Sequence, residues 1–270
     1  MGVSAVVAGT VPHAAVAAPR SATATPFAAV PPAAAVASLA SLATPLPAGL
    51  AALRAEAAGG HGIKPKRLKA ALLAAADLPA GYRQMGKRIV LDGDVFGMKS
   101  GGTFPDAGGC SVVVDLDKLL DPATPAPVLP AGRTGIALFT NSDQGSVVSE
   151  VLGVGDPVAA RAFVKAFADG MRRCPTITIG VAGQHEKFVI TQTELPMPPF
   201  GDASVGATLT IMTDGLDTPI NIKMSAVAKG RATCVVLIAG AGPDALGGFS
   251  TIVQTAVRKL GILGTADGSR

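Results

Sequence analysis

The residues that could do chemistry in this chain are few and scattered. Ser149-Glu150 and His185-Glu186 together sketch a hydroxyl nucleophile with an imidazole base. A hydrolase of that kind needs its serine on a Gly-x-Ser-x-Gly elbow, and none occurs. His185 stands in the polar run Gly183–Lys187, which reads as a surface turn. Gly153-Val154-Gly155-Asp156 joins a strand to a helix and invites a dinucleotide-binding reading. It lacks the third glycine and a parallel βαβ unit, and Asp156 would repel a phosphate at the helix start. The bland reading, a turn with an Asp cap, wins. Gly97-Met98-Lys99-Ser100 lacks the leading glycine and the Gly-Lys adjacency of a phosphate loop. Asp92 and Asp94, then Asp115, Asp117 and Asp121, lack the twelve-residue ligand ladder ending in Glu that calcium requires. They read as loop and cap residues. No catalytic residue, cofactor or metal site is expected, and ligand-binding residues cannot be named.

The three cysteines say more. Cys110, Cys174 and Cys234 form no C-x-x-C, and His13, His61 and His185 are not at ligand spacing, which excludes a zinc site. Cys110 ends a Gly-rich stretch, 101–109, and Cys174 ends a helix, so both sit where geometry adapts. Cys234 lies in the apolar strand Thr233–Ala239, where a free buried thiol is common. A Cys110–Cys174 disulfide is therefore predicted, closing a loop worth about 4 kcal/mol on the chain-entropy model. It implies an exported chain. The alternative is three reduced core cysteines in a cytoplasmic protein.

The helix that carries Cys174 is written from Asp156 to Pro175. Asp156 caps it, Pro157 fits the first helical position, and Pro175 stops it. Ala159, Ala162, Phe163, Ala166, Phe167, Met171 and Cys174 recur on one face, which is read as the core side. Around it, Lys66–Asp77 reads as a helix with Leu68, Leu72 and Leu73 inward. Tyr82–Leu91 can hold a strand, and Ser111–Leu116 with Lys118–Leu120 a short apolar element. Strands are read at 134–140, 146–154, 176–179, 187–193, 203–213, 220–228 and 232–239, with a hairpin turn at Asn141–Gly145. Phe249–Leu260 is a last helix. Strands joined by short turns pair antiparallel. The fold class is α+β: a central antiparallel sheet with helices on one face, tied by a disulfide.

Residues 1–60 hold 22 Ala and 7 Pro, with charge only at Arg20, Arg54 and Glu56. Such a segment cannot bury enough surface to offset its chain entropy. Residues 1–17 read as a truncated signal peptide with a small-x-small site at Ala15-Val16-Ala17 and no basic n-region. Residues 18–65 read as an Ala/Pro linker, 66–264 as the folded domain and 265–270 as a tail. Net charge is +4, from 23 basic and 19 acidic residues, which gives no ground for nucleic-acid binding. The one basic cluster, Lys64, Lys66, Arg67 and Lys69, reads as a solvated helix start.

Several segments resemble a known family. Leu72–Tyr82, LLAAADLPAGY, resembles its "LLxxxDLPxGY/W" opening. Ala159–Pro175 resembles its cysteine-ended helix, Phe200–Val205 its "xGDxS/A" turn, and Phe249–Gly261 its terminal helix. The chain thus resembles the PknH-like extracellular domain of actinobacterial receptor kinases and lipoproteins over about residues 68–261. That resemblance implies an extracytoplasmic α+β sensor domain with a cleft and disulfides, and no established enzyme activity or ligand. The chain departs from it in having no kinase domain, no lipidation cysteine and three cysteines in place of two pairs.

The function expected is an extracytoplasmic, non-catalytic sensor-type module, a monomer binding a small molecule, glycan or lipid in a cleft beside the sheet. Cell-wall or membrane-surface association fits the linker. The alternative is an envelope carrier or chaperone for apolar ligands, suggested by a chain 49% apolar and only 4% aromatic.

Overall fold

The computed structural model describes residues 63–96, 110–114, 131–181, 187–213, 218–240 and 244–264. The signal-like segment, the linker up to residue 62, Gly97–Ser100, the Gly-rich stretch, Asp115, Asp117, Asp121, His185, Glu186 and the tail lie outside them, and the end of the expected linker, Lys64-Pro65, is instead the start of the first helix. The elements run α1 (Pro65–Ala71), β1 (Arg83–Gln84), β2 (Ile89–Asp92), β3 (Ser111–Val114), β4 (Arg133–Asn141) and β5 (Ser146–Val154). Then follow α2 (Pro157–Arg173), β6 (Thr176–Val181), β7 (Lys187–Glu194), β8 (Ala203–Thr213), β9 (Ile220–Lys229), β10 (Ala232–Gly240), α3 (Phe249–Lys259) and α4 (Gly261–Gly264).

Among the described residues the strands form one ten-stranded sheet, ordered β1-β4-β5-β10-β9-β8-β7-β6-β3. β1 and β2 lie end to end along β4, with Gln84 facing Phe139 and Ile89 facing Ile136. The single strand expected over Tyr82–Leu91 is broken between them, where Gly86 takes φ 65°. All pairings are antiparallel except β3 with β6.

The α+β class and the disulfide-tied antiparallel sheet match the sequence reading. The helices, however, divide between both faces. β10 shows why: Cys234, Val236 and Ile238 are buried with α1 and α3, while Val235, Leu237 and Ala239 are buried with α2. A strand buried on both sides carries a continuous apolar run and no alternation, and Ala232–Gly240 is buried at every position.

α2 starts as its sequence dictates. Asp156 Oδ1 accepts the Val158 N–H at 2.7 Å, and Pro157 opens the helix. Its buried line is Ala160, Val164 and Met171, with Phe167 half-buried beside them. Ala162, expected inward, is exposed. Phe163, expected inward, is half-buried and packs on the core residue Phe96, ring centroids 4.7 Å apart.

The helix expected over Lys66–Asp77 stops at Ala71 and resumes as a single 3-10 turn at Ala75–Asp77. Side chains intercept its backbone groups. Leu73 N–H donates to Glu150 at 2.6 Å, and Ala74 N–H to Asp77 at 2.7 Å. The Lys69 carbonyl, which Leu73 would have bonded, accepts from Arg88 at 3.0 Å.

Candidate functional site

Three places hold polar side chains that the fold positions with purpose. The first is Glu150, fully buried at the centre of β5. Its carboxylate faces α1 and accepts from Leu73 N–H at 2.6 Å and from the Cys234 thiol at 3.5 Å. Burial raises its pKa from 4.5 to about 7, against the opposing pull of the Leu73 and Cys234 hydrogen bonds and of the Lys259 and Arg88 charges. Burial, reinforced by Glu150, holds the Cys234 thiol well above its ordinary range, so it is a neutral packing group and not a nucleophile. Beside them Asp77 bridges Lys259 at 2.5 Å. Ser149, the neighbour of Glu150, points to the opposite face of the sheet, as strand alternation requires. The arrangement anchors the broken end of α1 to the sheet, and its closure keeps both groups from any ligand.

The second is Asp94, 3% exposed, whose Oδ1 accepts the Phe96 N–H at 3.0 Å. It packs onto Gly153 and Gly155. A Cβ at Gly155 would stand 2.1 Å from Asp94 Oδ2, and one at Gly153 would stand 2.5 Å from Oδ1. Gly153-Val154-Gly155 is therefore glycine-rich to admit a carboxylate of the same chain. Asp92, its expected partner in a loop role, pairs with Arg133 at 3.1 Å.

The third is the far end of the sheet, on the α1/α3 side. The helix layer there stops at the Asp244–Leu246 turn, where Lys223 Nζ donates to the Leu246 carbonyl at 3.4 Å. The crossing Leu195–Phe200 covers Gly206, whose Cβ would meet Met197 Sδ at 2.6 Å. Beyond these limits the register lays out three lanes across the strands. Thr176, Thr191, Thr210 and Asn221 stand opposite one another on β6 to β9. Thr193, Thr208 and Lys223 form the next lane, and Thr178, Val189 and Met212 the one on the other side. Their alternate neighbours Ile190, Leu209, Ile211 and Ile222 belong to the α2-side core, so the lanes face the other way. Thr176, Thr191 and Thr193 are exposed, and Val189 and Met212 are 38% and 43% exposed. Thr210 Oγ1 donates to Asn221 Oδ1 at 3.2 Å, which leaves the Asn221 amide N–H groups as the donors of that side chain.

The Cys110–Cys174 disulfide is present, with Cα atoms 5.4 Å apart, and Cys234 is free and buried. The bond pins the start of β3 to the end of α2, and Gln192 holds the same corner by donating to the Cys174 and Pro175 carbonyls. It therefore fixes the strands that present the threonines. Sequence reasoning did not single out Glu150 as a buried acid, Asp94 as a packing group or the threonine lanes. The repeated Thr-x-Thr of β6, β7 and β8 (176–178, 191–193, 208–210) was the available signal, since it puts hydroxyls on one face of three strands.

No family model matches this chain, and no curated protein matches it by sequence. Among solved structures it is similar to the extracellular domain of PknH from Mycobacterium tuberculosis. The match covers 75% of this chain and 99% of that one, at 16% identity and a TM-score of 0.45. This is the family that the motifs in 72–82 and 159–175 resemble. The likeness is one of chain trace, and no residue role is carried across from it.

Proposed function

We propose that this domain is an extracytoplasmic, non-catalytic sensor-type binding module, and that it takes a glycan on the threonine lanes of β6–β9. The observation that carries the reading is the pairing of a hydroxyl and amide lane, exposed at Thr176 and Thr191 and half-buried at Thr210 and Asn221, with an exposed apolar lane at Val189 and Met212. A sugar ring has the same duality: an apolar C–H face and a rim of hydroxyls that both donate and accept. Adjacent strands lie about 4.8 Å apart, close to the span between hydroxyls across a pyranose ring. A solvent-facing surface suits a weakly held, exchangeable ligand, as sensing requires. The disulfide supports a location outside the cytoplasm.

The test is a titration of the protein with envelope-type oligosaccharides, followed by the near-isosteric double variant Thr191→Val, Thr210→Val. Each lost hydrogen bond is worth about 1 kcal/mol, so affinity should fall about 30-fold, while the melting temperature drops by only about 2–4 °C for the lost Thr210–Asn221 bond. Glycan binding that ignores the double variant would sink the reading. Protein that arrives with bound lipid in native mass spectrometry would favour an apolar carrier in its place.

A further inference from the structure

The opposite end of the sheet carries a second surface, of different chemistry. Residues 63–91 contain seven Lys or Arg and a single acid, Asp77, a net +6 in a chain whose total is +4, so the remainder is net −2. That one acid is already neutralised by Lys259 at 2.5 Å, and Asp92, just beyond, is held by Arg133. The fold gathers the cations that the sequence separates. Arg67 on α1 donates to the Ile262 carbonyl at 2.8 and 2.9 Å, bringing α4 against α1. Arg88 donates to the Lys69 carbonyl at 3.0 Å, bringing the β1–β2 connection against the end of α1. Lys64, Lys66, Lys69, Arg83 and Lys87 are exposed on this continuous edge, and among the described residues none of them has an ion-pair partner.

Apolar side chains stand among them. Met85, Ile89 and Ile262 are 39%, 37% and 40% exposed, half of the large hydrophobic residues left that open among the described residues. Met85 and Ile89 flank Lys87, and Ile262 abuts α1. A solvated helix start has no use for them. Cations interleaved with protruding aliphatic side chains fit one partner by chemistry: a bilayer whose headgroups are anionic and whose acyl region lies just beneath. Among the described residues no helix is long and apolar enough to cross a membrane, so the contact is peripheral.

We infer that the α1/β1–β2/α4 edge docks on anionic phospholipid, with the threonine lanes toward the opposite end of the sheet. The test is co-sedimentation of the purified full chain with vesicles of phosphatidylcholine containing about 30% phosphatidylglycerol, where each cation near the surface is worth about fivefold in partitioning. The chain should bind these vesicles and not vesicles of phosphatidylcholine alone, and salt should weaken the binding. The triple variant Lys66→Gln, Lys69→Gln, Lys87→Gln, with an unchanged circular dichroism melt, should bind about 100-fold more weakly, the product of three such steps. The double variant Met85→Ser, Ile262→Ser should also weaken vesicle binding while leaving retention on a soluble polyanion unaltered. Equal binding to neutral vesicles, no binding to anionic ones, or indifference to the triple variant would overturn the inference. So would a soluble acidic polysaccharide or duplex DNA that binds as tightly as the vesicles and is equally indifferent to Met85→Ser, because the surface would then read charge alone.

Discussion

Replacing Glu150 with glutamine tests whether the polar centre of the fold is held as its geometry indicates. The carboxyl is fully buried, and among the described residues its direct hydrogen-bond partners are the Leu73 N–H and the Cys234 thiol. Burial moves it from 4.5 to about 7, and each pH unit corresponds to about 1.4 kcal/mol. The ionised form therefore costs the native state about 3 kcal/mol. The sign follows from which state holds the proton. Below pH 4.5 the group is neutral whether the chain is folded or not, and nothing is lost. Between 4.5 and about 7 the unfolded chain ionises first, so stability falls as pH rises. Above about 7 the whole cost is present. Glutamine keeps the acceptor for Leu73 N–H and cannot ionise. Urea midpoints should show wild type and Glu150→Gln within about 1 kcal/mol of each other at pH 5, and the variant more stable by about 3 kcal/mol at pH 8. A variant that keeps the wild-type pH slope, or that is strongly destabilised at both pH values, would refute the reasoning. The second outcome would mean that the amide cannot be accommodated and that the carboxylate form is the one the fold requires.

Three further outcomes are expected. Reducing the Cys110–Cys174 bond, which closes a separation of 64 residues, should cost about 4 kcal/mol in denaturant titrations with and without reductant. Gly155→Ala should destabilise by about 1–3 kcal/mol because its Cβ meets Asp94, and adding Asp94→Ala should recover part of that loss in a double-mutant cycle. Asp156→Ala should cost about 1 kcal/mol by removing the cap on Val158 N–H, read as a lowered melting temperature.

The fold was legible where local chemistry decides it. Asp156, Pro157 and Pro175 mark the limits of α2 without help from the rest of the molecule, whereas the strand break at Gly86, a left-handed glycine, departs from the single strand expected over Tyr82–Leu91. The disulfide followed from where three cysteines sit relative to a helix end, a loop and a buried strand. What misled was tertiary. Helical periodicity continues through Leu72–Ala74, yet two carboxylates take its N–H groups, and one of them belongs to a strand 77 residues away. The inward face of α2 is set by the sheet: Phe163, Phe167 and Met171 pack on the core as periodicity indicates, but Ala160 and Val164, not expected inward, are buried and Ala162 is exposed. The apolar run of β10 carries the signature of burial on both sides, against the expectation of helices on one face. The threonine lanes are a matter of register: Thr176, Thr191 and Thr210 become neighbours only once β6, β7 and β8 pair, and no local pattern fixes that pairing. The basic edge is the same case, since Lys69 and Arg88 meet through a hydrogen bond that the sequence does not announce.

The most direct measurement is a two-dimensional amide NMR titration of the isotopically labelled protein with envelope-type oligosaccharides. The account predicts shifts concentrated at Thr176, Thr191, Thr193, Thr208, Thr210 and Asn221, and quiet signals on α2 and at Leu73. Shifts centred on the α2 face, or none with any sugar while an apolar ligand perturbs the core, would contradict it.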